Sequence, residues 1–148
     1  MINILVIDDE PSVCAVVEKI LASSGYAVTT ATGGRAGLDA AARQSFTAVI
    51  VDICMRDVSG FDVIRALRAQ APGTGLIAMS GLLSESVGTH APDFLGMAAN
   101  LAGIPLLTKP FRPGELLGLV EQCCTAHAPQ DGQDFMVTAP IANAVPAV

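Results

Sequence analysis

Four short runs dominated by Val, Ile and Leu limit the folds open to this chain: "INILVI" (2–7), "AVIVDI" (48–53), "GLIAMS" (75–80) and "IPLLTK" (104–109), with a weaker fifth in "YAVTTA" (26–31). Consecutive apolar residues over so short a length, without a two-residue alternation, read as strands covered on both faces. Helical periodicity fills the gaps. From Pro11 to Ser24, Val13, Val16, Val17, Ile20 and Leu21 recur at i, i+3, i+4, i+7 and i+8 ahead of a stop at Gly25. Further helices are expected over 34–44, over 60–70 before Pro72-Gly73, over 92–102 between Pro92 and Gly103, and over 113–125 opening at Pro113. Each helical crossover returns the chain to the same end of the sheet in a right-handed sense, so the fold class expected is α/β: a doubly wound, five-stranded parallel sheet with helices on both faces.

At 148 residues the chain suits one domain with a real core, assigned to 1–125. Beyond it, 126–148 is rich in Ala and Pro without periodicity and is read as a flexible tail. The segment 81–90, "GLLSESVGTH", is the one long internal connection expected. A net charge of −6, with six Arg and two Lys scattered, argues against a nucleic-acid partner. Cys14, Cys54, Cys123 and Cys124 form no C-x-x-C pair and have no His at ligand spacing. That disfavours zinc and disulfides and fits a reducing cytoplasm. No apolar run approaches the ~18 residues that span a bilayer, and there is no basic leader, so a soluble, unprocessed chain with no membrane partner is expected.

In an open parallel sheet, ligands bind beyond the carboxyl ends of the strands, near the point where the winding reverses. The residues expected there are Asp8 and Asp9 after the first run, Asp52 in the third, Ser80 ending the fourth and Lys109 ending the fifth. Taken singly, several have plain explanations. Asp8 and Asp9 suit the start of the next helix, Ser80 is a common strand-end residue, and Lys109 can be a side chain seeking solvent. Asp52 is harder to explain so, since it interrupts an apolar run where an unpaired charge is costly. Jointly they are one rim carrying carboxylates, a hydroxyl and an ammonium. Two carboxylates about 4 Å apart repel by roughly 4 kcal/mol at an effective dielectric near 20, so three in one cleft call for a cation. Oxygen-only ligands describe Mg²⁺. Beside that ion Asp52 suits a nucleophile toward phosphorus, with Lys109 and Ser80 receiving the phosphoryl oxygens.

The motifs "VIDDEP" (6–11), "VDICMRDVSG" (51–60, with Met three and Gly eight residues after the Asp), "MSG" (79–81) and "TKPF" (108–111) resemble the receiver domain of bacterial two-component response regulators over roughly 2–125. The resemblance implies a flavodoxin-like (βα)5 fold with strand order 2-1-3-4-5. It also implies that Asp8 and Asp9 are the acidic metal-binding pair, Asp52 the phospho-acceptor and metal ligand, and Cys54 a ligand through its backbone carbonyl. Ser80 would follow the phosphoryl group, Lys109 would pair with it, and Lys109-Pro110 would be cis.

Three positions depart from the family pattern. Arg56 stands where Pro is usual, Leu106 where an aromatic residue is common, and Cys54 and Leu82 where polar groups often orient water, which implies slow self-hydrolysis. A redox role for Cys54 is disfavoured, since Lys109 is the sole electropositive neighbour implied. The function expected is a stand-alone phosphorylatable switch rather than an enzyme. A sensor histidine kinase or histidine phosphotransfer protein would be the donor, and a protein the downstream target. Two other classes remain open: a haloacid-dehalogenase-type phosphatase, whose motif has Asp where Cys54 stands, and a pseudo-receiver that binds partners without phosphorylation.

Overall fold

The structure is a computed structural model that describes residues 1–81, 101 and 103–127. Five strands, β1 (Asn3–Ile7), β2 (Ala27–Ala31), β3 (Ala48–Asp52), β4 (Gly75–Ser80) and β5 (Leu106–Thr108), form one parallel sheet in the order β2-β1-β3-β4-β5. Among the described residues four helices accompany it: α1 (Pro11–Ser23), α2 (Gly34–Arg43), α3 (Gly60–Gln70) and α4 (Pro113–His127). This is the doubly wound α/β fold expected from the alternation of runs, in the flavodoxin-like strand order that the family resemblance implies.

Successive residues of a strand point to opposite faces, and the core divides accordingly. Ile4, Val6, Ile50, Ile77 and Met79 pack with Cys14, Val17 and Leu21 of α1 and Leu116 and Val120 of α4. Leu5, Ile7, Val49, Val51 and Ala78 pack with Val63, Ile64 and Leu67 of α3 on the other face. Both faces being covered is why β1, β3 and β4 read as continuous apolar runs. β2 lies at an edge, with most of its residues half-buried, which accounts for the weakness of "YAVTTA".

Three expectations need correction. β5 spans Leu106–Thr108 rather than 104–109; its ladder with β4 begins at Ala78 and Leu106, leaving Ile104 and Pro105 outside the strand. On α1 the buried positions are Cys14, Val17 and Leu21, with Val13 and Ile20 flanking, whereas Val16 is 54% exposed. The Cys14 thiol instead faces inward and donates to the Asp8 carbonyl at 3.4 Å. Finally, α4 runs two residues past 125, to His127. The expected connection 82–90, nearly all of the helix 92–102, and the tail from 128 on lie outside the described residues.

Candidate acidic site at the strand ends

Asp8, Asp9 and Asp52 converge where β1 and β3, neighbours in the sheet, release the chain to opposite sides. Oxygens of the three carboxylates lie within 4.8 Å of one another. Asp8 directly follows β1, and its backbone N–H donates to the Ala31 carbonyl at 3.1 Å, which fixes it to β2 one step beyond the ladder. The side chain is fully buried. One oxygen accepts the Glu10 N–H at 2.9 Å and the other the Lys109 ammonium at 2.8 Å. Asp52 ends β3, buried; Oδ1 accepts the Cys54 N–H at 3.3 Å and Oδ2 lies 3.4 Å from Lys109 Nζ.

Lys109 reaches both carboxylates from a backbone held by its N–H, which donates to the Ser80 carbonyl at 2.8 Å. The Lys109-Pro110 bond is cis, as the family resemblance implies. Ser80 is itself fully buried at the end of β4. Leu106 opens β5, half-buried against Ala78. Of the other residues singled out in the sequence, Cys54 has an exposed side chain, and Leu82 lies outside the described residues. All four cysteines are free.

The electrostatics follow from this packing. Burial, with the Asp8 charge second, raises Asp52 from 3.8 to about 6, against the pull of Lys109. Burial works against the Lys109 ammonium, but its hydrogen bond to Asp8 and the charges of Asp52 and Asp8 outweigh it and raise its pKa. Partial desolvation beside the acidic cluster, then the Asp52 charge, also pushes the Cys54 thiol up although its side chain is exposed, away from the thiolate that a redox sensor needs. Two cations of the protein itself already stand among the three carboxylates. Lys109 serves Asp8 and Asp52, while Arg56 donates to Asp9 Oδ2 from its backbone N–H at 3.0 Å and from Nε at 3.1 Å. The inference that these carboxylates demand an external cation is therefore met in part by side chains. A set made only of oxygens, still carrying one negative charge more than the two cations offset, fits a hard divalent ion.

Sequence reasoning missed two contacts. One is the pairing of Arg56 with Asp9. The other involves Asp57, whose carboxylate accepts the N–H groups of Gly34 at 3.0 Å and Arg35 at 3.1 Å, and so caps α2 across 22 and 23 residues of sequence. Those N–H groups hold its pKa below the usual carboxylate range. The N-cap residue proper, Gly33, has no side chain to do this and adopts φ 126°. Asp57→Ala is expected to cost about 1 kcal/mol of stability, the usual loss of a helix cap, read as a lower urea midpoint at neutral pH. The cap is strongest when ionised, so the difference from wild type should shrink as pH falls below about 4; a gap unchanged from neutral to low pH would exclude the carboxylate charge as its cause.

Comparison with known proteins agrees with this geometry. The family model described as "Response regulator receiver domain" matches residues 4–121. The chain is 32% identical over 116 residues to the probable transcriptional regulatory protein TcrX of Mycobacterium tuberculosis, covering 78% of this chain and 47% of that protein. It is 29% identical over 118 residues to the cell cycle transcriptional regulator CtrA of Caulobacter vibrioides, covering 80% and 48%. The chain thus spans about half the length of these relatives. Among solved structures, the chemotaxis protein CheY4 of Vibrio cholerae matches with TM-score 0.71 and 28% identity over 83% of this chain and 98% of that one. The response regulator TrrA of Thermotoga maritima, solved in complex with Mg²⁺-BeF, matches with TM-score 0.68 and 26% identity over 83% and 99%. With an acidic cluster at the carboxyl ends of β1 and β3, a lysine from the end of β5 bridging it, and a family match over most of its length, the chain belongs to the response regulator receiver domains of two-component systems.

Proposed function

We propose that this domain is a phosphorylatable switch whose acceptor is Asp52. An Asp52 carboxylate oxygen attacks the phosphorus of a phosphohistidine. The new P–O bond forms as the P–N bond breaks, and the electron pair stays on the donor's imidazole. Lys109 balances charge on the transferred oxygens, and the Ser80 hydroxyl donates to one of them. Asp8, Asp9, Asp52 and the backbone carbonyl of Cys54 would hold Mg²⁺, which supplies further neutralisation of phosphoryl charge when bound. The observation that carries the reading is one ammonium held between two buried carboxylates, 2.8 Å from Asp8 and 3.4 Å from Asp52. That TrrA, of similar fold and sequence, was solved with Mg²⁺-BeF supports the same choice of ion.

The donor is a sensor histidine kinase or a histidine phosphotransfer protein, and the output is contact with another protein in the cytoplasm, where free cysteines persist. The chain's net charge of −6, with its Arg and Lys scattered, offers no basic footprint for nucleic acid. Among the described residues no helix is long and apolar enough to cross a membrane. The domain is not a multi-turnover enzyme; it catalyses its own phosphorylation and, slowly, its dephosphorylation. Incubation with acetyl phosphate and Mg²⁺ should add one base-labile phosphoryl group, located on Asp52 by peptide mass mapping. Continuous release of phosphate over many turnovers would point to a hydrolase, and no adduct with either acetyl phosphate or a phosphohistidine donor would end the proposal.

A further inference from the structure

Arg56 is the feature of this site that its family resemblance does not supply. The proline usual at this position has neither an N–H nor a charge, and here both are used on one oxygen, Asp9 Oδ2. The contact is built from both sides. Met55, the preceding residue, packs against the core, and Asp57, the following one, is bonded to the start of α2. Arg56 is therefore held by its neighbours over a carboxylate from a different loop, although its side chain is 86% exposed. Asp9 is the member of the acidic trio most open to solvent, at 15%.

We propose that Arg56 is a resident counter-cation that competes with the divalent ion for Asp9 and weakens its binding. This rests on the metal reading above. A fixed positive charge beside the ligand opposes a dication by direct repulsion, and the Arg56–Asp9 pair must be given up or shared when the ion arrives. Because the guanidinium is exposed, the effect is several-fold rather than many orders of magnitude, and salt screens it. The domain would then need a several-fold higher Mg²⁺ concentration to reach the same metal occupancy.

The test is calorimetric titration of Mg²⁺ into the wild type, Arg56→Gln, Arg56→Lys and Asp9→Asn, at low salt and at high salt. Arg56→Gln should bind about three- to tenfold more tightly at low salt, with the gap narrowing at high salt. Arg56→Lys, which keeps the charge, should stay within about twofold of wild type. Metal-free melting temperatures of both Arg56 variants should stay within about 2 °C of wild type, as for loss of an exposed ion pair. Equal or weaker binding by Arg56→Gln, beside wild-type uptake that Asp9→Asn abolishes, would overturn the role of Arg56 and leave the metal site standing. Binding by Arg56→Lys as tight as by Arg56→Gln would likewise exclude charge as the cause. No uptake by wild type or Arg56→Gln would overturn both the metal reading and this inference.

Discussion

Asp52→Asn is expected to abolish phosphoryl uptake from acetyl phosphate and, in the same molecule, to raise the melting temperature of the metal-free domain at neutral pH. The first effect would follow from losing the carboxylate proposed as nucleophile; uptake should fall to the background of unrelated sites. The second follows from burial. Asp52 titrates near 6 when folded, against an ordinary value of 3.8, because it is buried beside Asp8. Between those values the folded chain holds a proton that the unfolded chain has released, so stability falls as pH rises through that window and stays reduced above it. At about 1.4 kcal/mol per pH unit, the ceiling on this cost is about 3 kcal/mol. That ceiling is already net of the attraction of Lys109; imperfect hydrogen bonding of the Asn amide in its place lowers the gain further, so about 1–2 kcal/mol should remain, or roughly 5 °C in Tm. The difference should vanish below about pH 4, where the wild-type carboxyl is neutral. A gap that is constant from acid to neutral pH, or a less stable Asn variant, would mean that Asp52 is not electrostatically burdened. A gap that instead opens between about pH 4 and 7 would make this rim a place where stability is given up to keep an ionisable group buried.

That burdened carboxylate was the most legible part of the sequence, because a charge inside "VIVDIC" has no apolar explanation. The same logic located Asp8, Ser80 and Lys109: strands covered on both faces stand out as apolar runs, and their ends mark a common rim. Partners that join different loops leave no such mark. Arg56 and Asp9 are 47 residues apart, and Asp57 reaches Gly34 across 23. Nothing in the periodicity of either segment says which loops face each other, and both contacts depend on the exact turn after β3. Helix faces were legible only to within one position. On α1 the stripe pointed to Val16, but the packing of α1 against β1 and α4 turns Cys14 inward instead. A thiol that can donate to the Asp8 carbonyl is tolerated there as a small apolar group.

The glycine eight residues after Asp52 was visible as part of a motif, but its physical reason is visible only in three dimensions, and it leads to the second large effect. A Cβ on Gly60 would overlap the carbonyl oxygen of Asp52 and stand 2.5 Å from the Ile53 Cα. Both are backbone atoms at the end of β3, so no side chain can swing aside. The Gly60 N–H donates to the Ile53 carbonyl at 2.9 Å, which ties the start of α3 to the residue that follows Asp52. Ser59 caps the same helix, accepting the Phe61 N–H at 3.2 Å. Gly60→Ala must push helix and strand apart, breaking this bond and shifting Asp52 itself. The expected cost is about 3 kcal/mol or more, at the upper end for overpacking because the clash is with backbone. Phosphoryl uptake should slow in the fraction that remains folded. Gly118→Ala provides the contrast: it lies within α4 with nothing within 4 Å of its would-be Cβ, so the better helix former should stabilise by about 0.5–1 kcal/mol. Urea midpoints moving in opposite directions for these two identical substitutions would show that Gly60 is kept for close approach. A Gly60→Ala variant within about 0.5 kcal/mol of wild type would mean that α3 docks on β3 less tightly than its hydrogen bond to Ile53 implies.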